Sequence, residues 1–243
     1  MKTFTARGVV LREIEVNESD KRIVVLLKDI GKILISCRGA RKSNSKFLAC
    51  TQVFTYSDFV VAQGNGFYSL NSGEVIKNFY DIRLDYDRFV MASKIATMCN
   101  RLIPDGLSSN DTLQLILYAF QALCGEKKPE LVKCAFDLKF LISQGFAPYT
   151  NICANCGKEI TRDDKNSSGE YIMSAGGVIC KDCVRLFKDI KRILLSTGGI
   201  DAINYLNKAD IKNVYHFELS DRALFLMKKY AEFLLHEHME HRE

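Results

Sequence analysis

The sequence predicts an α+β protein in which a small five-stranded barrel precedes an α-helical domain with a four-cysteine insert. In the first 80 residues, short runs rich in β-branched and aromatic residues alternate with turn residues. From about Tyr80 onward, apolar residues recur with the period of a helix, and two Cys-x-x-Cys pairs interrupt this helical part. We therefore predict one domain over residues 1–80 and a second over residues 81–243, with the insert at about 150–184.

Five strands fit the first domain. With no convincing helix between them, five strands in this length favour a small closed barrel. An OB-fold fits best, because it has five strands and commonly binds single-stranded nucleic acid, and an SH3-like barrel is the alternative. The predicted strands cover residues 4–11, 22–27, 32–37, 50–62 and 67–76, of which 50–62 is long enough to bend.

The second domain is predicted to consist of helices. Residues 113–123 are nearly all apolar, and Asn110 or Asp111 can cap them, which marks this helix as the centre of a bundle. Residues 184–196 have an amphipathic pattern, which Gly198 and Gly199 end. The remaining predicted helices end near Pro104, begin at Pro129, cover residues 200–206 and begin at Ser220.

The positive charge of the chain is concentrated in the first domain. Residues 1–80 hold 12 Lys and Arg against 7 Asp and Glu, whereas residues 81–243 hold 22 of each. No acidic residue lies between Asp29 and Asp58, which predicts a basic surface patch. The basic residues of this stretch are Lys32, Arg38, Arg41, Lys42 and Lys46.

The two cysteine pairs have the spacing of a zinc site. Two intervening residues let one tight turn aim both sulfurs at a single ion, and Gly157 can adopt the positive φ that such a turn needs. Two disulfides are the alternative, but the nine cysteines are an odd number and no N-terminal apolar segment directs the chain to an oxidising compartment. We predict one structural Zn²⁺ per chain, with no open position for chemistry. The ligands are Cys153, Cys156, Cys180 and Cys183.

The order of these features resembles the bacterial RecO family along the full chain. An Arg-Gly-Ala-Arg-Lys loop follows the third predicted strand, and a four-cysteine element follows the first helices. The segments Gly145-Phe-Ala-Pro148 and Gly176-Gly177-Val-Ile, which precede the two cysteine pairs, are also similar to the zinc segment of that family.

The resemblance implies a non-enzymatic role in recombinational DNA repair. Proteins of this family bind single- and double-stranded DNA, anneal complementary strands and work with RecR to load RecA onto strands coated by single-strand-binding protein. It also implies a bacterial cytoplasmic protein that is associated with the nucleoid during repair. No run of the sequence approaches the length of about 20 apolar residues that crosses a bilayer, so no membrane partner is expected.

The basic loop is the predicted DNA-binding site. Gly39 and a Ser-Asn-Ser run keep the loop adaptable, and its cations can follow a phosphate backbone without reading bases. A solvated, mobile connection is the alternative. The predicted contacts are Arg38, Arg41, Lys42 and Lys46, and the barrel aromatics that could stack on bases are Phe4, Phe54, Tyr56, Phe67 and Tyr68.

A second basic face is predicted on the helix after the zinc ligands. Its cations share one side of that helix, while Leu186 and Leu194 can pack inward. This face could extend the DNA path, receive the acidic, Phe-ended tail of single-strand-binding protein, or be merely solvated. It consists of Arg185, Lys188, Lys191 and Arg192.

Two other classes of protein compete with a mediator. A Mg²⁺-dependent nucleic-acid-modifying enzyme needs a carboxylate cluster, for which Asp81, Asp85 and Asp87 are the nearest candidates, although acids at this place more simply begin a helix. A zinc-containing transcription factor needs a recognition helix, and none stands out. The histidines lie in no catalytic motif, and the last three are expected in a frayed tail. They are His216, His236, His238 and His241.

Overall fold

The computed structural model describes the backbone of residues 2–186 and 193–240. The chain forms two compact units, Met1–Pro129 and Glu130–Glu243. The sequence predicts a domain boundary at residues 80/81, because the pattern changes there from strands to helices. That domain boundary stays a prediction. No described helix combines the length and the apolar character that crossing a membrane requires.

The first unit contains a closed barrel. Its strands are β1 (Lys2–Glu15), β2 (Lys21–Leu27), β3 (Gly31–Cys37), β4 (Tyr56–Gln63) and β5 (Tyr68–Lys77). They are hydrogen-bonded in the order β1-β2-β3-β5-β4, and β4 pairs back with β1 to close the barrel. All neighbours are antiparallel except β3 and β5. This is a five-stranded, OB-type barrel, so the predicted fold class is confirmed.

Alternate residues of the strands fill the barrel. Because successive side chains of a strand point to opposite faces, every second residue of β2 and of β3 enters the core. The loop after β3 also contributes, since Ala40 is fully buried there. The buried residues of this core include Ile23, Val25, Leu27, Ile33, Ile35, Cys37, Phe59 and Val61.

The prediction of a long strand over residues 50–62 is wrong in its first half. Residues 50–54 form turns, β4 begins only at Tyr56, and Phe54 has a φ of +71°. The ring of Phe54 is buried against the rings of Phe89 and Phe120, at centroid distances of 5.7 and 5.2 Å. These aromatic contacts with the following helices hold the chain in turns that its β-rich composition does not reveal.

Two helices complete the first unit, namely α1 (Tyr86–Leu102) and α2 (Asn110–Leu123). The Asp85 carboxylate caps α1 by accepting a hydrogen bond from the Arg88 N–H at 2.9 Å. The prediction that α2 is the centre of a helical bundle is wrong. Gln114, Tyr118 and Gln121 are exposed along one side of α2, and Phe120 on the opposite side packs against Phe54 of the segment between β3 and β4.

The second unit contains helices and a small sheet. Its helices are α3 (Pro129–Ser143), α4 (Lys181–Leu186), α5 (Thr197–Lys208) and α6 (Asp221–Glu240). Its strands are β6 (Tyr171–Ser174), β7 (Gly177–Ile179) and β8 (Ile193–Leu195), and both β7 and β8 pair antiparallel with β6. The sequence pattern did not predict this sheet, because strands of three or four residues carry almost no periodicity.

The predicted helix over residues 184–196 is confirmed for residues 184–186, which belong to α4, and is wrong for residues 193–195. The side chain of Leu186 is 75% exposed, so it does not pack inward as predicted. Residues 193–195 form β8, in which Leu194 is also exposed. Gly199 lies in the first turn of α5, where its N–H donates to the Ser196 hydroxyl at 3.2 Å, so the glycines begin a helix there and do not end one.

The predicted frayed C-terminal tail is also wrong for the residues that the structure describes. Helix α6 continues to Glu240 and therefore includes His236 and His238. The imidazole of His238 stacks on the Phe146 ring at a centroid distance of 3.8 Å. This contact stabilises the last turns of α6. His241 lies outside the described residues.

Candidate metal centre and nucleic-acid interface

The four cysteines of the two Cys-x-x-Cys pairs converge on one point. The Sγ atoms of Cys153, Cys156, Cys180 and Cys183 all lie within 4.8 Å of one another, and those of Cys156 and Cys180 are 3.7 Å apart. A tetrahedron with Zn–S bonds of about 2.3 Å has S–S edges of about 3.8 Å, whereas a disulfide has an S–S bond of about 2.05 Å. All four thiols are free, so the cluster could hold a metal ion.

Backbone turns aim the sulfurs of the first pair. The Gly157 N–H donates to the Cys153 carbonyl at 2.9 Å, and Gly157 has a φ of +74°, as the sequence predicts for this turn. The Cys180 N–H donates to the Cys153 sulfur at 3.3 Å, so the two pairs are joined directly. The second pair lies at the start of α4, where the Val184 N–H donates to the Cys180 carbonyl.

The thiols of this cluster differ in acidity. Burial raises the pKa of Cys153, but N–H groups of Cys180, Cys156 and Asn155 outweigh it and lower the pKa to about 6. The Asn155 amide lowers the pKa of Cys183, but burial and the neighbouring thiols outweigh it and raise the pKa to about 12. Burial also raises the pKa of Cys180. Thiolates this close together repel one another, so a cation bound among them would favour deprotonation of all four.

Hydrogen bonds connect α6 to the residues that lie between the two cysteine pairs. The Tyr230 hydroxyl on α6 donates to the Ser174 carbonyl of β6 at 3.0 Å. The Arg222 guanidinium donates through Nε to the carboxylate of Glu170, just before β6, at 3.1 Å. These hydrogen bonds hold α6 against the β6–β7 hairpin, which lies between the two cysteine pairs.

The four predicted DNA contacts all lie exposed on one loop of the first unit, which we call the basic loop (residues 38–46). Ala40 is buried in the barrel core and anchors the loop near its start. The guanidinium of Arg41 pairs with the Glu15 carboxylate at 3.0 Å and donates to the Asn17 carbonyl. The exposed residues are Arg38, Arg41, Lys42 and Lys46.

The basic loop is ordered by its neighbours. The Gly39 N–H donates to the Asp20 carboxylate at 2.7 Å, and this bond lowers the pKa of Asp20. The Arg41 N–H donates to the Ser19 carbonyl at 3.0 Å. The β1–β2 turn therefore holds the loop in place.

A buried ion pair supports the segment that follows the basic loop. Lys21 is only 5% exposed, and its ammonium contacts the Glu13 carboxylate at 2.7 Å and the Thr51 carbonyl at 3.1 Å. The same carboxylate accepts from the Val53 N–H at 2.8 Å. Sequence reasoning missed this pair, and the only available signal was that Glu13 and Lys21 lie just beyond the facing ends of the first two predicted strands, 4–11 and 22–27.

Lys32 is not part of the exposed patch, contrary to the sequence prediction. Its side chain is nearly buried, and its ammonium pairs with the Asp105 carboxylate at 3.2 Å and donates to the Asn100 carbonyl.

The aromatic residues that were predicted to stack on bases differ in how far they are exposed. Phe54 is core, whereas Phe67 is half exposed. Phe4, Tyr56 and Tyr68 are partly buried.

Of the predicted second basic face, the structure describes only Arg185, which is exposed near the end of α4. Lys188, Lys191 and Arg192 lie outside the described residues. The common face of these four cations stays a prediction.

The acidic residues of the rival enzyme hypothesis do not form a site. Asp85 caps α1, as the helix-start interpretation expects, and Asp81 and Asp87 flank it. In the described part of the chain, the cysteine cluster is the one group of three or more His, Cys, Asp or Glu side chains arranged to hold a metal.

The structure thus has an OB-type barrel with an exposed basic loop, followed by a largely helical unit whose four-cysteine cluster could hold a metal ion, in the order that the sequence predicts. The family described as recombination protein O matches through its N-terminal model over residues 1–79 and its C-terminal model over residues 83–243. The chain belongs to the recombination protein O (RecO) family.

Relatives of similar length agree with this family. The chain is 29% identical over 241 residues to the DNA repair protein RecO of Acetivibrio thermocellus, covering 99% of this chain and 93% of the relative. It is 31% identical over 222 residues to the DNA repair protein RecO of Clostridium acetobutylicum, covering 91% and 86% of the two chains. A DNA repair protein RecO from Desulforamulus reducens is 28% identical and covers 97% and 91%.

Proposed function

We propose that the protein is a non-enzymatic DNA-binding mediator of recombinational repair. It binds single- and double-stranded DNA, anneals complementary strands and, with RecR, helps to load RecA onto strands coated by single-strand-binding protein. RecR and the acidic C-terminal tail of single-strand-binding protein are the proposed protein partners, and the bacterial cytoplasm is the proposed location. The observation that carries the proposal is the ordered loop of four exposed cations on an OB-type barrel.

The geometry of the basic loop suits phosphate contact. Its cations project from one short segment whose backbone is already fixed by Asp20, Ser19 and the buried Ala40. A cation that meets a phosphate releases condensed counterions, so binding of this kind is strongly salt-dependent and insensitive to base sequence. The loop therefore supports a protein that acts on many sequences, as a repair mediator must.

The metal is proposed to be one Zn²⁺ per chain with a structural role. Four thiolate ligands favour a soft ion such as zinc, and a site closed by four protein ligands has no open position for water or substrate. In this role the ion joins the two cysteine pairs and thereby holds the β6–β7 hairpin between them. The residues of the cluster hold structure and take no part in a reaction.

A strand-annealing assay tests the proposed function. Labelled complementary single strands, bare or precoated with single-strand-binding protein, are incubated with the protein in the presence of Mg²⁺. We expect faster pairing of both kinds of strand and unchanged strand length. Cleaved or modified strands would instead identify a Mg²⁺-dependent enzyme, and binding restricted to one duplex sequence would identify a transcription factor.

The ion pair between Glu15 and Arg41 gives a prediction that is specific to this chain. Because Arg41 is held by Glu15 in the free protein, the carboxylate competes with phosphate for the guanidinium. An exposed pair contributes about 0–1 kcal/mol, so Glu15→Gln is expected to raise affinity for single strands by roughly 2- to 5-fold at low salt. Fluorescence anisotropy with a labelled oligonucleotide measures this.

The matched control is Glu18→Gln. Glu18 is exposed on the same β1–β2 turn, and its replacement removes the same unit of charge. We expect a smaller gain from this variant. If both variants raise the affinity for single strands equally, the gain comes from the lower negative charge near the β1–β2 turn. It would then not come from breaking the ion pair between Glu15 and Arg41.

A further inference from the structure

The four cysteines of the cluster differ in their access to solvent. Cys156 is exposed, whereas the other three are at most 4% exposed. Residues 155–159, which include Cys156, are all exposed. A Cβ placed on Gly157 would meet no atom within 4 Å apart from its chain neighbours, so the space beside this turn is open. A small solute therefore reaches the cluster first at Cys156.

Hydrogen bonds to sulfur also distinguish Cys156. The Cys153 sulfur accepts a hydrogen bond from the Cys180 N–H at 3.3 Å. The Cys183 sulfur accepts one from the Asn155 side-chain amide, also at 3.3 Å. Such bonds stabilise negative charge on a sulfur and make it a weaker nucleophile. Among the described residues, the Cys156 sulfur instead contacts another sulfur, that of Cys180, at 3.7 Å. Exposure and hydrogen bonding therefore both favour Cys156 as the first sulfur to react with an oxidant.

Cys180 is placed to react with an oxidised Cys156. A disulfide bond is about 2.05 Å long, so the two sulfurs at 3.7 Å need to approach by about 1.7 Å. Cys153 is the competing partner, but N–H groups of Cys180, Cys156 and Asn155 all contact its sulfur. The Cys180 sulfur is contacted by the N–H of Cys183. With fewer N–H groups on its sulfur, Cys180 is the better nucleophile of the two.

We propose that Cys156 is a site of oxidation by hydroperoxides and that Cys180 converts the oxidised group into a disulfide, which removes two of the four ligands of the metal centre. This inference rests on the proposed structural Zn²⁺ and adds its regulation. Peroxide takes the centre apart, and reduction restores it.

The reaction has two balanced steps. The Cys156 thiolate attacks one oxygen of hydrogen peroxide, so an S–O bond forms, the O–O bond breaks and hydroxide leaves, which gives a sulfenic acid. The Cys180 thiolate then attacks the Cys156 sulfur, so the S–S bond forms, the S–O bond breaks and a second hydroxide leaves. Two thiolates are oxidised by two electrons in total, and the peroxide is reduced to two hydroxide ions that take up protons from the buffer. Because metal ligation requires thiolates, the disulfide gives up the ion.

Peroxide treatment of the full-length, zinc-containing protein tests the proposal. A chromogenic chelator measures released Zn²⁺, and peptide mass spectrometry identifies the disulfide. In a parallel sample, dimedone traps the sulfenic acid. We expect dimedone on Cys156, a disulfide between Cys156 and Cys180, and zinc release in step with that disulfide. A dithiol reductant added with Zn²⁺ is expected to restore the metal content.

Two variants make the test specific. Cys156→His keeps a side chain that can bind zinc but removes the thiol, so we expect peroxide to release its zinc at least roughly 10-fold more slowly. The control is Cys124→Ser, outside the cluster. Cys124 is partly exposed, but burial raises the pKa of its thiol and disfavours the reactive thiolate. We expect this control to release zinc as fast as the unmodified protein does.

Sulfenic acid forming first at Cys153 or Cys183, a disulfide between Cys153 and Cys156, or undiminished zinc release from Cys156→His would each overturn the proposal. Failure of the proposed metal site gives a different result. Protein that contains no zinc before treatment would remove the metal, and mass spectrometry of the same sample would still decide which cysteine reacts. Zinc that withstands peroxide would overturn the oxidation site alone.

Discussion

Protein purified without chelators is expected to contain about one Zn²⁺ per chain, and Cys153→Ser or Cys180→Ser is expected to destabilise it before DNA affinity changes. The free energy of binding a structural zinc is in part free energy of folding and is about 10–16 kcal/mol in zinc-finger peptides. Loss of one thiolate should therefore lower the free energy of unfolding of Glu130–Glu243 by on the order of 3 kcal/mol or more. Metal analysis and denaturant unfolding of each variant measure this.

A cysteine outside the cluster supplies the control. Cys124 is a free, partly exposed cysteine at the end of α2, so Cys124→Ser makes the same atomic change away from the metal. We expect its zinc content and stability to remain close to those of the unmodified chain. Zinc-free protein in which Cys153 and Cys180 form disulfides would contradict the proposed metal site.

Replacing Arg38, Arg41, Lys42 and Lys46 together with alanine is expected to remove most of the salt-dependent binding of single strands. Each phosphate contact contributes about 0.7 to the slope of log affinity against log salt, so four contacts account for up to roughly 3 units. The fold should survive, because all four side chains are exposed and the loop is anchored through Ala40 and backbone bonds. Salt titrations, with melting curves for both proteins, make the comparison.

A quadruple variant with the same change in net charge tests whether position matters. Arg162, Lys208, Lys212 and Lys229 are exposed cations of the second unit, and their replacement with alanine should leave the slope nearly unchanged. An unchanged slope in the loop variant would move the DNA site elsewhere. Arg185 and the predicted face to which it belongs would then be examined first.

The barrel and the metal ligands could be predicted because strong local rules govern them. Runs of β-branched and apolar residues between turn residues predict strands, and residues 23–27 of β2 are such a run, buried throughout. The Cys-x-x-Cys spacing is a property of one tight turn, so Cys153 and Cys156 point to a metal without any knowledge of the fold. These features depend on neighbours in sequence.

The features that sequence reasoning missed depend on contacts between distant residues. Phe54 leaves the predicted strand because Phe89 and Phe120, far along the chain, surround its ring. The sequence pattern predicts that Lys32 is a surface cation. In the structure, its ammonium instead contacts the Asp105 carboxylate and the Asn100 carbonyl. The exposure of Phe67 likewise follows from the turn at Gly64, which decides which side of the ring is covered. Composition contains none of this information.

The order of the two units along the chain has a consequence for how the protein is made. Residues 1–129, which include the whole barrel, are synthesised before Cys153, the first cysteine of the cluster. N-terminal domains generally fold first during synthesis, so the barrel can form while no part of the cluster yet exists. In a cell that is short of zinc, newly made chains would have a folded barrel and a second unit open to proteases. The supply of the ion would then set the number of complete molecules in the cell and leave the DNA affinity of each barrel unchanged.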